Sequence, residues 1–114
     1  MPSIVSEAQL ATALAAPIAV LYKHSPICPT SSLAYEEIRA LRRQRDVPVF
    51  LIDVVGNRSL ARRIAEQVGV RHASPQVIIM VAGVAAWSAS HFEVEAEAIL
   101  RVLDRLTAGE PAPD

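Results

Sequence analysis

Apolar positions along the chain change their spacing several times, and each change marks an element. Ser6-Glu7-Ala8-Gln9 has the form of a capping box, in which the serine accepts from a backbone N–H three residues on, and Leu10, Ala13 and Leu14 then share one helical face. Pro17 closes that helix. Ile18-Ala19-Val20-Leu21-Tyr22 is apolar throughout, short and rich in β-formers, which predicts a central strand covered on both faces. A polar turn follows, His24-Ser25-Pro26-Ile27-Cys28-Pro29. Beyond it a helix is predicted to about Arg45, with Ala34, Ile38 and Leu41 on the buried stripe and charges opposite.

Residues Val47 to Val54 read as a second buried strand, and Asn57 is placed to cap a helix whose Leu60, Ala61, Ile64, Ala65 and Val68 form a stripe ending at Gly69. Residues Val77 to Val81 and Val84 to Ser88 flank Ala82-Gly83 as a hairpin. A last helix, about Glu93 to Leu106, carries Ile99, Val102, Leu103 and Leu106 on one face. Residues 1–108 thus form one domain, and the tail 109–114, rich in proline, is expected to be mobile. A βαβ unit, a helix, a hairpin and a final helix is the order of a thioredoxin-like α/β fold, a mixed central sheet flanked by helices.

Composition adds exclusions. With 114 residues, 52% of them hydrophobic and 20% charged, the chain is long enough for one core and has no disordered signature. A net charge of −1 gives no basic excess for phosphate backbones, and five aromatics (Tyr22, Tyr35, Phe50, Trp87, Phe92) are scattered, so no nucleic-acid partner is expected. The longest apolar run, Val77 to Trp87, is interrupted by Gly83 and too short to cross a bilayer as a helix. The amino terminus lacks the basic and apolar regions of a secretory signal. A single cysteine has no internal disulfide partner and suits a reducing compartment, so a cytoplasmic location is expected.

That cysteine carries the chemistry. Pro29 fits the first helical position, where its missing N–H costs nothing, which puts Cys28 at the cap. Its sulfur then stands where a capping oxygen would, able to accept from the N–H groups of Thr30 and Ser31 beside a helix dipole that favours the anion. A thiol pKa below the usual value of about 8.5 is predicted. The alternative is a small buried hydrophobe, but the flanking Ser25, Pro26, Pro29, Thr30 and Ser31 describe a turn instead of an apolar stripe. Ser31 occupies the place of the second cysteine of a dithiol oxidoreductase, so the chain must work with one thiol. In such a fold Pro75 of Ser74-Pro75-Gln76 would be cis and face the cysteine, leaving the Ser74 backbone free to pair with an extended substrate. His24, His72 and His91 with Cys28 have no compact ligand spacing, so no metal site is expected. Nucleophile-elbow and phosphate-loop motifs are absent. The arginines at 39, 42, 43, 45, 58, 62 and 63 read as solvated helix faces.

Lys23-His24-Ser25, Cys28-Pro29 and Ser31, then Asp53-Val54, Asn57-Arg58, Ile64-Ala65-Glu66, Gly69-Val70, His72, Ser74-Pro75-Gln76, Trp87 and Ser90-His91, in that order, resemble the monothiol bacilliredoxins. Pro26 and Thr30 depart from the family pattern, so the site reads Cys-Pro-Thr-Ser in place of Cys-Pro-Ile-Ser. The resemblance implies a stress-response thiol–disulfide oxidoreductase that removes bacillithiol from protein mixed disulfides. No tightly bound cofactor is implied. Bacillithiol serves as co-substrate, and the partners are bacillithiolated proteins and a low-molecular-weight thiol. Cys28 is then the nucleophile, Ser31 and Pro75 complete the catalytic site, and Pro29, Thr30 and Ser74 shape the groove. Lys23, Arg71 and His72 would bring positive charge toward the two carboxylates of bacillithiol's malate group. The competing expectation is a thioredoxin-like binding or stress module whose cysteine is incidental or a redox sensor.

Overall fold

In a computed structural model that describes residues 1–113, the elements run α1 (Glu7–Leu14), β1 (Ile18–His24), α2 (Pro29–Gln44), β2 (Val49–Asp53), α3 (Arg58–Val68), β3 (Gln76–Val81), β4 (Val84–Ser90) and α4 (Ala96–Thr107), with a 3-10 turn at His91–Glu93. The four strands form one sheet in the order β2-β1-β3-β4, parallel between β1 and β2 and antiparallel elsewhere. β1 is therefore interior, as its unbroken apolar run requires. Alternation along the strands divides the core in two. Val20, Tyr22, Val77 and Ile79 pack with α2 and α4 residues such as Ile38, Leu41, Ile99 and Val102, while Ala19, Leu21, Ile78 and Met80 pack with Leu10, Ala13, Ala61 and Ile64 of α1 and α3. Each fully buried aliphatic side chain contributes about 1.5–3 kcal/mol relative to exposure.

β2 is an edge strand and only partly buried, in contrast to the expectation of a fully buried one. The amino-terminal segment covers that edge: the Ile4 N–H donates to the Leu51 carbonyl and the Leu51 N–H to the Pro2 carbonyl, both at 2.8 Å. Ser6 caps α1 as read, its hydroxyl accepting from the Gln9 N–H at 3.2 Å. The Asn57 side chain does not cap α3; it donates to the Asp53 carbonyl at 3.2 Å. The cap of α4 comes from another helix, with the Glu37 carboxylate accepting from the Ala96 N–H at 2.9 Å. Ala82 and Gly83 turn the hairpin with positive φ at both residues, and the Ala82 N–H is held by the Pro17 carbonyl. In the segment after α4, the Pro111 carbonyl accepts from Arg105 Nε at 2.9 Å and Ala112 rests on the α2/α4 core. Asp114, part of the tail expected to be mobile, lies outside the described residues.

Candidate functional site

The site lies where the carboxyl ends of parallel β1 and β2 meet, the usual place for ligands in sheets of this kind. After β1 the chain turns sharply, with the Cys28 N–H bonded to the Ser25 carbonyl at 3.1 Å. Pro26 stands second in this turn, a position that proline's fixed φ suits. Cys28 is the amino-terminal cap of α2, in extended conformation, with Pro29 at the first helical position. The thiol is half-buried and free.

The Cys28 side chain makes no geometrically complete capping hydrogen bond, and the Ser31 N–H donates to the Cys28 carbonyl at 3.0 Å. The open helix end acts on the thiol all the same. The backbone N–H groups of Thr30 and then Ser31 hold Cys28 below its ordinary pKa, and the hydroxyls of both residues add to this against partial desolvation. Ser31 is buried, and its Oγ accepts from the Ser25 N–H at 3.2 Å, which fastens the turn to the helix.

Beneath the turn, Tyr22 Oη lies 2.8 Å from His24 Nδ1 and 3.3 Å from the Ser31 carbonyl. A phenol has one proton, so both contacts are satisfied when His24 Nδ1–H donates to Tyr22 and Tyr22 donates to Ser31. Burial holds the Tyr22 phenol protonated well above its ordinary value, with Tyr35 and Cys28 reinforcing this. Burial also lowers His24, against the pull of Asp53. The Tyr35 ring packs on both, 5.3 Å from His24 and 6.4 Å from Tyr22 between centroids.

On the other face of β1, Lys23 is 0% exposed, and its Nζ lies 3.2 Å from His72 Nδ1. Burial lowers Lys23 to about 8. His72 is lowered by burial first and then by the Lys23 and Arg62 charges, so the neutral ring accepts at Nδ1 and keeps its proton on Nε2. The Ser74–Pro75 peptide is cis, in agreement with the sequence reading. Pro75 is buried, Ser74 is half-buried, and the Pro75 carbonyl accepts from the His91 N–H at 2.9 Å.

A family model described as monothiol bacilliredoxin BrxC matches residues 3–99. The chain belongs to the monothiol bacilliredoxin family. Among solved structures, a putative oxidoreductase with a thioredoxin fold is similar at 26% identity and a TM-score of 0.83, over 88% of this chain and 90% of that one. A mutant thioredoxin from Halobacterium salinarum superposes with a TM-score of 0.76 at 18% identity, covering 98% of this chain and 93% of its own. Thioredoxin O2 from Arabidopsis thaliana gives 0.70 at 21%, over 92% of each chain. The latter two bear on the fold alone, which is thioredoxin-like. Family and fold together make this bacilliredoxin a thiol oxidoreductase of the thioredoxin class. Among the described residues no helix is long and apolar enough to cross a membrane.

The structure of this bacilliredoxin brings the Cys28-Pro29-Thr30-Ser31 segment together at the start of α2 and sets the basic residues expected near it in different surroundings. Lys23 is interior and, among the described residues, reaches only His72. Arg71 lines a cavity of about 460 Å³ with His72, Gln76, Ser88 and Ser90. A different cavity, about 310 Å³, adjoins the turn and is lined by Ser25, Ile27, Val54, Val55, Arg58 and Ala61, with Arg62 and His72 completing it. Arg58 and Arg62 have the pattern of a solvated face, since nothing in their local sequence says that the start of α3 meets the loop after β1. In sequence Tyr22 and Tyr35 are only an apolar position and a scattered aromatic; their spacing from His24 and Ser31 becomes meaningful once β1 and α2 are packed.

Proposed function

We propose that this chain removes bacillithiol from protein mixed disulfides, with Cys28 as the nucleophile. The observation that carries the reading is a free thiol at the open start of α2, held below its ordinary pKa by the Thr30 and Ser31 N–H groups. The Cys28 thiolate attacks the bacillithiol-side sulfur of a protein–bacillithiol disulfide. A Cys28–bacillithiol disulfide forms as the old S–S bond breaks, and the electron pair leaves on the protein thiolate, which takes a proton from water. A second thiol then attacks the bacillithiol-side sulfur of the Cys28–bacillithiol disulfide; its new S–S bond forms as the Cys28 thiolate leaves, so bacillithiol departs as a disulfide with that thiol and Cys28 is restored.

Ser31 in place of a second thiol supports the monothiol course, because the mixed disulfide has no internal cysteine to resolve it. Incubation with a bacillithiolated protein followed by mass spectrometry is expected to show the adduct on Cys28 and a freed thiol on the substrate. Cys28→Ser, with a residue that is itself a good cap, should keep the fold and lose both signals. A substrate freed equally by Cys28→Ser would refute the reading.

A further inference from the structure

The chain treats the two edges of its sheet differently. β2 is covered by Pro2 and Ile4, whereas nothing among the described residues pairs with the outer side of β4. Edge strands are commonly protected by charge or proline, yet Val84–Ser90 carries neither and is nowhere fully buried. Its pairing with β3 fixes which groups are bare. The His91 N–H donates to the Pro75 carbonyl, so antiparallel alternation also commits Ala89 and Trp87 to β3 and turns the N–H and C=O groups of Ser88 and Ser90 outward. At Ala86 the register shifts, a bulge that ends the regular edge. The bare stretch is therefore residues 87–90, the half that leads to Pro75.

A cavity of about 580 Å³ follows this stretch. All of residues 86–90 line it, and because successive strand side chains point to opposite faces, five consecutive residues share one cavity only along the strand's outer edge. Beyond Ser90 stand Glu93 and Glu95, both exposed and, among the described residues, neither in an ion pair. No basic residue lines the cavity. Gln76 also lines it: this side chain is 4% exposed, its Nε2 donates to the Arg71 carbonyl, and its Oε1 has no hydrogen-bond partner among the described residues.

We infer that the β4 edge is a docking surface for an extended, basic segment of a partner protein, which joins the sheet as a further strand. The segment's backbone exchanges hydrogen bonds with Ser88 and Ser90, and its lysine or arginine side chains meet Glu93 and Glu95. A second copy of this chain lacks that complementarity. Antiparallel pairing of two β4 edges about a two-fold axis sets the Glu93 and Glu95 end of each copy beside the uncharged Val84 end of the other, which leaves the carboxylates unpaired. β3 separates this edge from β1 and the Cys28 turn, so docking does not depend on the exchange reaction proposed above.

The probe is an acetylated and amidated hexapeptide of alternating lysine and threonine, whose lysines share one side when extended. Its controls carry glutamate in place of lysine, or a central proline that removes a backbone N–H. Binding to the full chain is followed by amide chemical shifts and hydrogen exchange. The outward Ser88 and Ser90 amides are expected to exchange fast in the free protein and to slow in proportion to occupancy by the lysine peptide, with saturable shifts along residues 86–90. Both control peptides should bind more weakly. The double variant Glu93→Gln, Glu95→Gln should lose about fivefold in affinity for the lysine peptide, the order expected of two exposed ion pairs, and added salt should act in the same direction. An absence of saturable shifts along residues 86–90, or equal binding of the lysine and glutamate peptides, would overturn the docking surface. So would slowing of Ser88 and Ser90 that grows with protein concentration in the absence of peptide, the mark of a second copy on this edge.

Discussion

Replacing Lys23 by methionine tests the description of the site's interior most directly. Lys23 is fully buried, its ammonium has only His72 Nδ1 as partner among the described residues, and burial lowers its pKa from 10.5 to about 8. At about 1.4 kcal/mol per pH unit, holding the ammonium in the folded chain near neutral pH costs roughly 3 kcal/mol. Methionine has a similar length and no charge, so the change relieves that cost and gives up a hydrogen bond of about 1 kcal/mol. A net gain of about 2 kcal/mol near neutral pH is expected, large against a total stability of about 5–15 kcal/mol.

The pH dependence carries the same sign. Between about 8 and 10.5 the unfolded chain keeps the Lys23 proton and the folded chain has lost it, so stability rises with pH in that window. Cys28, whose folded pKa is also lowered, adds a rise of its own below its unfolded value of 9.0, so the comparison belongs in a Cys28→Ser background. The lowered histidines titrate below the window, and Tyr22, raised in the fold, reverses the slope only above about 10. Urea unfolding at several pH values between about 7 and 10 is the assay, with and without Lys23→Met. A parent whose stability stays flat across the window, or a Lys23→Met protein less stable than its parent at neutral pH, would refute the reasoning.

Two further outcomes follow from hydrogen bonds in the structure. Ser31→Ala removes the acceptor of the Ser25 N–H and a hydroxyl that favours the thiolate; urea unfolding should show a loss of about 1–2 kcal/mol, and the thiolate absorbance midpoint of Cys28 should move up. Glu37→Ala removes the acceptor for the first N–H of α4, with an expected loss of about 1 kcal/mol and faster hydrogen exchange at Ala96, while Glu37→Gln should keep most of the protection.

Local chemistry made much of this protein legible from its residues. The two-residue and 3.6-residue periods, the prolines at 17 and 29, and the Gly69 and Gly83 positions suffice for the order of helices and strands, because each acts within a few residues of itself. The same holds for Cys28 at a helix start, where the flanking Pro29 and Ser31 decide the geometry. What the residues alone left open depends on which surfaces meet. The edge position of β2 and its cover by Pro2 and Ile4, the α4 cap from Glu37, and the commitment of the Ser31 N–H to a carbonyl are contacts that only packing creates.

The charges show the division most clearly. Lys23 looks like an end-of-strand surface residue, and Arg58 and Arg62 like a solvated face, as long as only sequence neighbours are counted. Strand alternation places Lys23 on the inner face between β2 and β3, and the parallel pairing of β1 with β2 carries the start of α3 against the Cys28 turn. Sequence determined where the one cysteine stands and how its helix begins, since those are short-range matters of backbone geometry. Tertiary structure decided which residues line the cavity beside its turn, since burial and proximity are properties of the assembled fold.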